Sequence, residues 1–270
     1  MVGNELDFGK AFVYSCYFQK TFGYEQFIAE HVVSYQLEGE THVEHQKGNF
    51  ILKAGQLMIA RKNQLAKAFK HPSPQGEYKV LSVMLHAERL KKYAVDHHIH
   101  SSNTYAGDLN LRLEKDTFLE GYFQTLLPYV EQKTAVSKQM EDMKVTELTV
   151  LLLERNPQLL DFLFDFTEPF KIDLEEFMTK NYQYNVPLEN FAKLSGRSLA
   201  SFKRDFEKIF NTSPGKWLKE KRLTEAFELI ASKQRKPADI YLDLGFENLS
   251  HFYASFKEKF GVTPATILSK

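Results

Sequence analysis

Cysteine is almost missing from this 270-residue chain. The single thiol, Cys16, can close no internal disulfide, so the fold must rest on packing and hydrogen bonds, and the composition fits a reducing cytoplasm. Long apolar runs are missing too. None approaches the roughly 18 residues that a membrane-spanning helix needs. The opening stretch MVGNELDFGK has no basic patch followed by an apolar core, so neither a membrane partner nor a secretory signal is expected. Thirteen glycines are scattered without a Gly-x-Gly-x-x-Gly run to cradle phosphates, and no Gly-x-Ser-x-Gly elbow carries a nucleophile. Cys16 sits in an aromatic stretch, which suits packing better than nucleophilic work. Histidines are present but badly spaced. His42 and His45 lie beside Glu44, and His97, His98 and His100 crowd one polar stretch, yet type and spacing both fail for a metal set. No catalytic residue, no metal and no cofactor is expected, and the chain does not read as an enzyme. Net charge is lacking as well, with 35 Lys and Arg against 35 Asp and Glu. That balance argues weakly against a nucleic-acid partner.

The balance is not even along the chain. Residues 171–270 carry 17 Lys and Arg against 13 Asp and Glu, a surplus of four positive charges, and the preceding residues carry the matching deficit. The C-terminal segment is the one a phosphate backbone attracts. What is abundant is apolar and aromatic: 43% hydrophobic and 14% aromatic residues, enough for two packed cores. Residues 8–86 read as short strands. AFVYSCYFQK, FIAEHVVSYQL, HVEHQKGNFIL, GQLMIARK and EYKVLSVMLH are rich in β-branched and aromatic residues, and turn signals such as Gly23, Gly39, Gly48 and Gly55 separate them. This pattern predicts an antiparallel barrel or jelly roll. Helices are predicted over 111–133 and 140–156, with a short apolar one after Pro157. A linker is predicted at 166–171, where Glu168-Pro169 disfavours helix. Seven helices follow: one in IDLEEFMTKNY, then 187–194, 198–210, Pro214 to about Ser232, 237–244, 248–260 and a short turn from Pro264. The expected class is α+β in two domains, residues 1–166 and 171–270.

A fifty-residue echo organises the second half. Phe202, Phe206, Phe210, Ser213 and Pro214 recur as Phe252, Phe256, Phe260, Thr263 and Pro264. Such a repeat marks one supersecondary unit used twice, and each copy reads as a helix-turn-helix. In the first, Leu199, Phe202, Phe206, Ile209 and Phe210 share one helix face, while Ala200, Lys203, Arg204 and Glu207 lie opposite. Small and hydrogen-bonding side chains on the N-terminal half of such a helix suit the major groove, and Arg or Lys suits guanine O6 and N7. In the second, Leu249, Phe252, Phe256 and Phe260 form the stripe. Ser250, Tyr253, Ala254 and Lys257 face outward, with His251 at the edge. The predicted helix from Pro214 joins the units through Trp217, Leu218, Leu223, Ala226, Phe227 and Ile230.

The stretches PLENFAKLSGRSLASFKRDFEKIFNTSPGKWLKEKRL and ADIYLDLGFENLSHFYASFKEKFGVTP resemble the DNA-binding domain of AraC/XylS-type bacterial transcription regulators. The second carries that family's Ile, then Gly-Phe, then Phe-x-x-x-Phe, then Gly-x-Thr-Pro. The resemblance implies DNA contacts from Ala200, Lys203 and Arg204 in the first unit, and from Leu249, Ser250, His251, Tyr253 and Ala254 in the second. Tyr241 stands where the family prefers a small Ala, and Ala254 where relatives often place a polar or basic base reader. The N-terminal half resembles the cupin-type arm of the same regulators. VTELTVLLLERNPQLLDFLF is similar to the dimerisation and interdomain helices of the type III secretion activator subgroup, which implies a sensing and dimerisation domain with Met143, Leu148, Leu151 and Leu152 as dimer-face candidates. The resemblance implies a cytoplasmic activator whose partners are double-stranded DNA, RNA polymerase, a second copy of the chain, and a small-molecule or protein effector. Two alternatives stand beside it: a cupin-type small-molecule enzyme with a helical appendage, and a regulator controlled by a protein and not by a small ligand. The first copy, with Lys203 and Arg204, is expected to discriminate sequence more strongly than the second.

Overall fold

The structure is a computed structural model that describes residues 4–22, 26–45, 48–74, 76–101, 104–167 and 169–268. The turn at Gly23 and the linker residue Glu168 lie outside the described residues. The chain divides into two compact units, residues 1–167 and 168–270.

The first unit opens with β1 (Asn4–Gly9) and β2 (Phe12–Tyr17), then two short strands, β3 (Thr21–Phe22) and β4 (Phe27–Ile28). Next come β5 (His31–Glu38), β6 (Glu40–His45), β7 (Gly48–Lys53), β8 (Leu57–Ala60), β9 (Gln64–His71) and β10 (Tyr78–Leu85). Helix α1 (Ala87–Asp96), β11 (Asn110–Leu113), α2 (Thr117–Gln124), α3 (Leu127–Glu131), α4 (Lys138–Arg155) and α5 (Leu159–Phe164) complete it. The strands form two open sheets, one in the order β1-β2-β10-β5-β8-β11 and the other β3-β9-β6-β7, with β4 also on β9. Every recorded strand pair is antiparallel.

Alternation explains how the layers stack. Val33 pairs with Val83 on one side and Ile59 on the other, and all three are fully buried on the face that packs against the helices. Phe123 of α2, Leu148 and Leu152 of α4 and Phe162 of α5 cover that face. The intervening positions look the other way. Met58 and Ala60 join Leu52 in a smaller cluster between the sheets. A polar network sits there too: the Thr41 hydroxyl lies 2.7 Å from Gln36 Oε1 and 2.8 Å from Tyr78 Oη, and Gln36 Nε2 donates to the carbonyls of Glu38 and Lys79. Satisfied in this way, buried polar groups are tolerated.

Two sequence expectations change here. The stretch 111–133 is not one helix. Asn110–Leu113 pairs with Leu57–Ala60 and finishes the edge of the larger sheet. The helix starts only after Asp116, whose carboxylate accepts the Phe118 and Leu119 amides at 2.9 and 3.0 Å. Within 8–86 the strand Gln64–His71 falls outside the five apolar stretches, because QLAKAFKH mixes Lys with apolar residues. By contrast, α4 ends at Arg155, with Asn156 as its cap before Pro157, as the break at that proline predicts.

The second unit has seven helices among the described residues. They are α6 (Leu174–Asn181), α7 (Leu188–Leu194), α8 (Leu199–Phe210), α9 (Pro214–Lys233), α10 (Pro237–Ile240), α11 (Leu249–Phe260) and α12 (Pro264–Leu268). Capping side chains begin α6, α8 and α11: Asp173 accepts from the Glu176 amide, Ser198 from Ser201 and Asn248 from His251. Helix α10 is shorter than 237–244: Tyr241 keeps helical dihedrals, but 241–245 continue as turns and not as regular helix.

His31 is the first unit's one fully buried histidine. Its Nδ1 accepts the Lys62 amide at 3.4 Å, and its Nε2 has no hydrogen-bond partner. Burial, helped by the Lys62 and Arg61 charges and opposed by Asp165, depresses its pKa to about 3. An unfolded histidine takes a proton near pH 6.5, so the folded state forgoes that proton. Its neutral burial is therefore without penalty above pH 6.5, and stability is lost as pH falls from there toward 3. Thermal melting followed at pH 7, 6 and 5 should show the first unit's transition falling with acid. His31→Asn, which keeps an acceptor for the Lys62 amide, should flatten that fall.

Candidate nucleic-acid interface

The two copies share a buried scaffold. Phe202, Phe206, Phe252 and Phe256 are wholly inaccessible to solvent. The last ring of each stripe is half-buried and meets α9: Phe210 lies 4.8 Å from Trp217, and Phe260 lies 4.9 Å from Phe227. Leu223, Ala226 and Ile230 of α9 continue into a core with Ile240, Leu244 and Phe246. Packing thus fixes which face of α8 and α11 is turned outward. Ile209 departs from its place on the stripe. It lies in the last turn of α8, at the edge of the apolar arc, and is 41% exposed.

On α8, Ala200, Lys203 and Arg204 are all exposed. Arg204 lies 3.6 Å from Asp205 at the surface, a pairing of small worth in water. Asp205 is shared. Its hydrogen bond from Arg197, with the Lys171 and Arg204 charges nearby, holds its carboxyl below the usual range. Arg197 is not a surface cation at all. Its side chain is 9% exposed, and it donates to Asp205 at 3.2 Å and to the carbonyls of Ile172 and Ser195 at 3.0 and 2.7 Å. It pins the head of α8 to the segment that leads into the unit. Gly196 completes this anchor with φ +67°, and a Cβ there would collide with the Phe170 carbonyl group and the Lys171 nitrogen. Only glycine suits both the backbone angle and that close approach.

On α11, Ser250, His251 and Ala254 are exposed. Leu249 and Tyr253 are half-buried against the second core, and the Tyr253 ring stands edge-on to Phe252 at 5.9 Å. Tyr253 is therefore less outward than its helical position predicts. The basic residues later on α11 are partly committed to α9. Lys259 donates to the Glu220 carbonyl and the Thr224 hydroxyl, both at 2.7 Å, and Lys219 of α9 pairs with Glu258 at 2.7 Å. Lys257 stays exposed. The structure thus brings the α8 candidates together on one polar surface, and leaves α11 a less basic one.

The remaining candidates fall elsewhere. Leu148 and Leu152 are fully buried in the first unit's own core, and Leu151 packs against it. A dimer seam through them would have to unpack that core. Met143, on the same helix, is 60% exposed. His97, His98 and His100 are exposed. His42 is paired with Glu40 at 2.7 Å and stacked on His71. Among the described residues, no group of three His, Cys, Asp or Glu is arranged to hold a metal ion, and no helix is long and apolar enough to cross a membrane. Cys16 is half-buried, and burial pushes its thiol up, away from the nucleophilic thiolate. One residue that sequence reading omitted is Arg222 of α9, which donates to three backbone carbonyls. Nothing in its local pattern distinguishes it from the neighbouring basic residues.

Residues 191–270 match the helix-turn-helix domain family, and residues 31–163 match the ExsA N-terminal regulatory domain. The chain is similar to the HTH-type transcriptional regulator ExsA of Pseudomonas aeruginosa, 30% identical over 125 residues, which is 46% of this chain and 45% of that protein. It is similar to the virulence regulon transcriptional activator VirF of Yersinia enterocolitica, 34% identical over 92 residues, 34% of each chain. These matches span less than half the length of either relative. A structure of apo ToxT from Vibrio cholerae aligns over 98% of this chain and 99% of that one, at 13% identity and TM-score 0.45.

Truncating a wholly buried ring should cost the second unit heavily. Phe256→Ala is expected to lower unfolding free energy by ~3–5 kcal/mol. Urea unfolding read by the fluorescence of Trp217 would measure it, and a loss below about 1 kcal/mol would contradict the packing described.

Proposed function

We propose that this chain, which belongs to the AraC-type helix-turn-helix regulators of the ExsA and VirF subgroup, is a cytoplasmic transcription activator that reads DNA with α8 and α11. The observation that carries this reading is the matched pair of stripes. Four buried phenylalanines set two helices on one connecting helix and leave Ala200, Lys203 and Arg204 on one outward face, with Ser250, His251 and Ala254 on the other. Helix α9 has 20 residues, hence is about 30 Å long at 1.5 Å per residue. That is close to the ~34 Å between successive major-groove faces on one side of a duplex.

The two helices would do unequal work. Arg204 can present a bidentate fork to guanine O6 and N7, and Lys203 can meet a neighbouring base or phosphate. Ala200 is small enough to bring the α8 backbone close or to touch a thymine methyl. On α11 the exposed Ser250 and His251 suit phosphates and single hydrogen bonds. Leu249 and Tyr253, half-buried, would serve mainly by shaping that surface, with Ala254 leaving room for the duplex. The first unit would carry regulation, receiving an effector and presenting a second copy of the chain or RNA polymerase with a surface. The side chains between its two sheets, Leu52, Met58, Gln36, Thr41 and Tyr78, favour a protein effector over a small ligand lodged there.

Selection of bound duplexes from a random-sequence pool should yield one site that the full chain prefers. On that site Arg204→Ala should cost ~1–3 kcal/mol and relax discrimination at one position. Replacing Lys203 by Ala should weaken binding across sequences, and should flatten the slope of log K against log salt by about 0.9 if it meets one phosphate. Unchanged affinity in the Lys203→Ala, Arg204→Ala double variant would overturn the reading of α8.

A further inference from the structure

Arg222 sits on α9, between the two helix-turn-helix units, and its guanidinium is turned inward. Three of its nitrogens donate to three carbonyls. Nε reaches Tyr182 at 2.7 Å, Nη2 reaches Tyr184 at 2.8 Å and Nη1 reaches Gly245 at 3.0 Å. The first two acceptors belong to the turn between α6 and α7, which leads into the first helix-turn-helix (α7 and α8). The third belongs to the turn between α10 and α11, part of the second. One cation therefore holds both turns to the helix that connects them.

Two further features sit at the same point. Gly245 has φ +81°, and a Cβ there would lie 2.9 Å from Arg222 Cζ and 2.9 Å from the Gln183 carbonyl oxygen. The turn between α10 and α11 is thus pressed onto the guanidinium and onto the loop between α6 and α7. Beside it, Asn185 Nδ2 donates to Glu247 Oε1 at 3.2 Å, a second bridge between the same segments. The chemistry suits the task. A planar fork with fixed donor directions can hold three carbonyls at once, whereas an ammonium would hold them one or two at a time. Burial lowers the Arg222 pKa to about 10, which leaves it charged at neutral pH.

We propose that Arg222 is a positioning residue that fixes the placement of α11 relative to α8, and so sets the spacing between the two DNA segments the chain can engage together. It touches no DNA itself. A pair of linked binding modules gains affinity only if both reach their sites at once, so loosening the clamp should lower two-site binding while leaving one-site binding intact. The inference rests on the DNA-reading function proposed above, but its geometric half is testable without DNA.

The test uses the full chain with Cys16→Ser, carrying spin labels at Lys208→Cys on α8 and Lys257→Cys on α11, both exposed positions. Pulsed electron–electron double resonance should give one narrow distance distribution in the otherwise unaltered chain. Arg222→Lys should broaden it at least twofold while helical circular dichroism is retained, and Asn185→Ala should broaden it less. On the duplex selected by the unaltered chain, Arg222→Lys should lower affinity about tenfold or more. On the same duplex with the α11 half randomised, affinity should stay within twofold of the unaltered chain. Inserting one or two base pairs between the halves should cost the Arg222→Lys chain less than the unaltered one. An unchanged distance distribution in both variants overturns the inference, as does an equal proportional loss on the two duplexes. If Arg222→Lys does not fold, Asn185→Ala decides on the same readings. If the unaltered chain selects no duplex, the DNA-reading function fails, and the distance measurement still decides the clamp.

Discussion

Four phenylalanine rings that solvent does not reach determine what the second unit shows to the outside. Phe202 and Phe206 commit one arc of α8 to the interior, and Phe252 and Phe256 commit the same arc of α11. A helix has only one remaining arc to present, so the choice of outward residues follows without any further instruction. The polar side chains there are free to differ between copies because they contribute little to stability. The rings are not free to differ, since each fills space that α9 and its neighbours leave. A shared interior with divergent exteriors is the physical content of the repeat.

The first unit solves a different problem. Its larger sheet must satisfy two faces at once, and period-two alternation divides the labour. Val33, Ile59 and Val83 meet a helical layer, while Met58, Ala60 and Tyr78 meet a second sheet. The helical layer is sealed by α4, whose buried side includes Glu141, hydrogen-bonded by the Lys10 amide at 2.7 Å and paired with Arg89. Because Leu148 and Leu152 are spent on this seal, the outer arc of α4 around Met143 is what remains of that helix for any encounter with another molecule.

Legibility tracked how local the cause was. The seven helices of the second unit could be read because proline, capping side chains and three-and-four spacing all act within a few residues. The strands β2, β5, β8 and β10 could be read because they are rich in β-branched and aromatic residues and turn signals bound them. Strand β11 could not, because LRLEK has the composition of a helix and becomes a strand only through its pairing with Leu57–Ala60. The surface residues Ala200, Lys203, Arg204, Ser250 and Ala254 were legible as outward positions from periodicity alone, whereas His251, placed at the edge of the stripe, is fully outward. Tyr253 and Ile209 were misplaced, one by an aromatic contact with the core and the other by its place at the stripe's edge. Arg197 and Arg222 were invisible for a plainer reason. Their acceptors are backbone carbonyls distant in sequence, and a carbonyl leaves no mark on residue identity.

The seat of Gly196 has a mechanical consequence. The segment 169–172 enters the second unit not at its first helix but at the turn between α7 and α8, where Arg197 grips the Ile172 carbonyl and the missing Cβ lets the Phe170 carbonyl lie close. Tension along that segment is borne first by the head of α8. The segment is a tether with a very short arm: it cannot shift by more than the slack of one hydrogen bond without moving the head of α8.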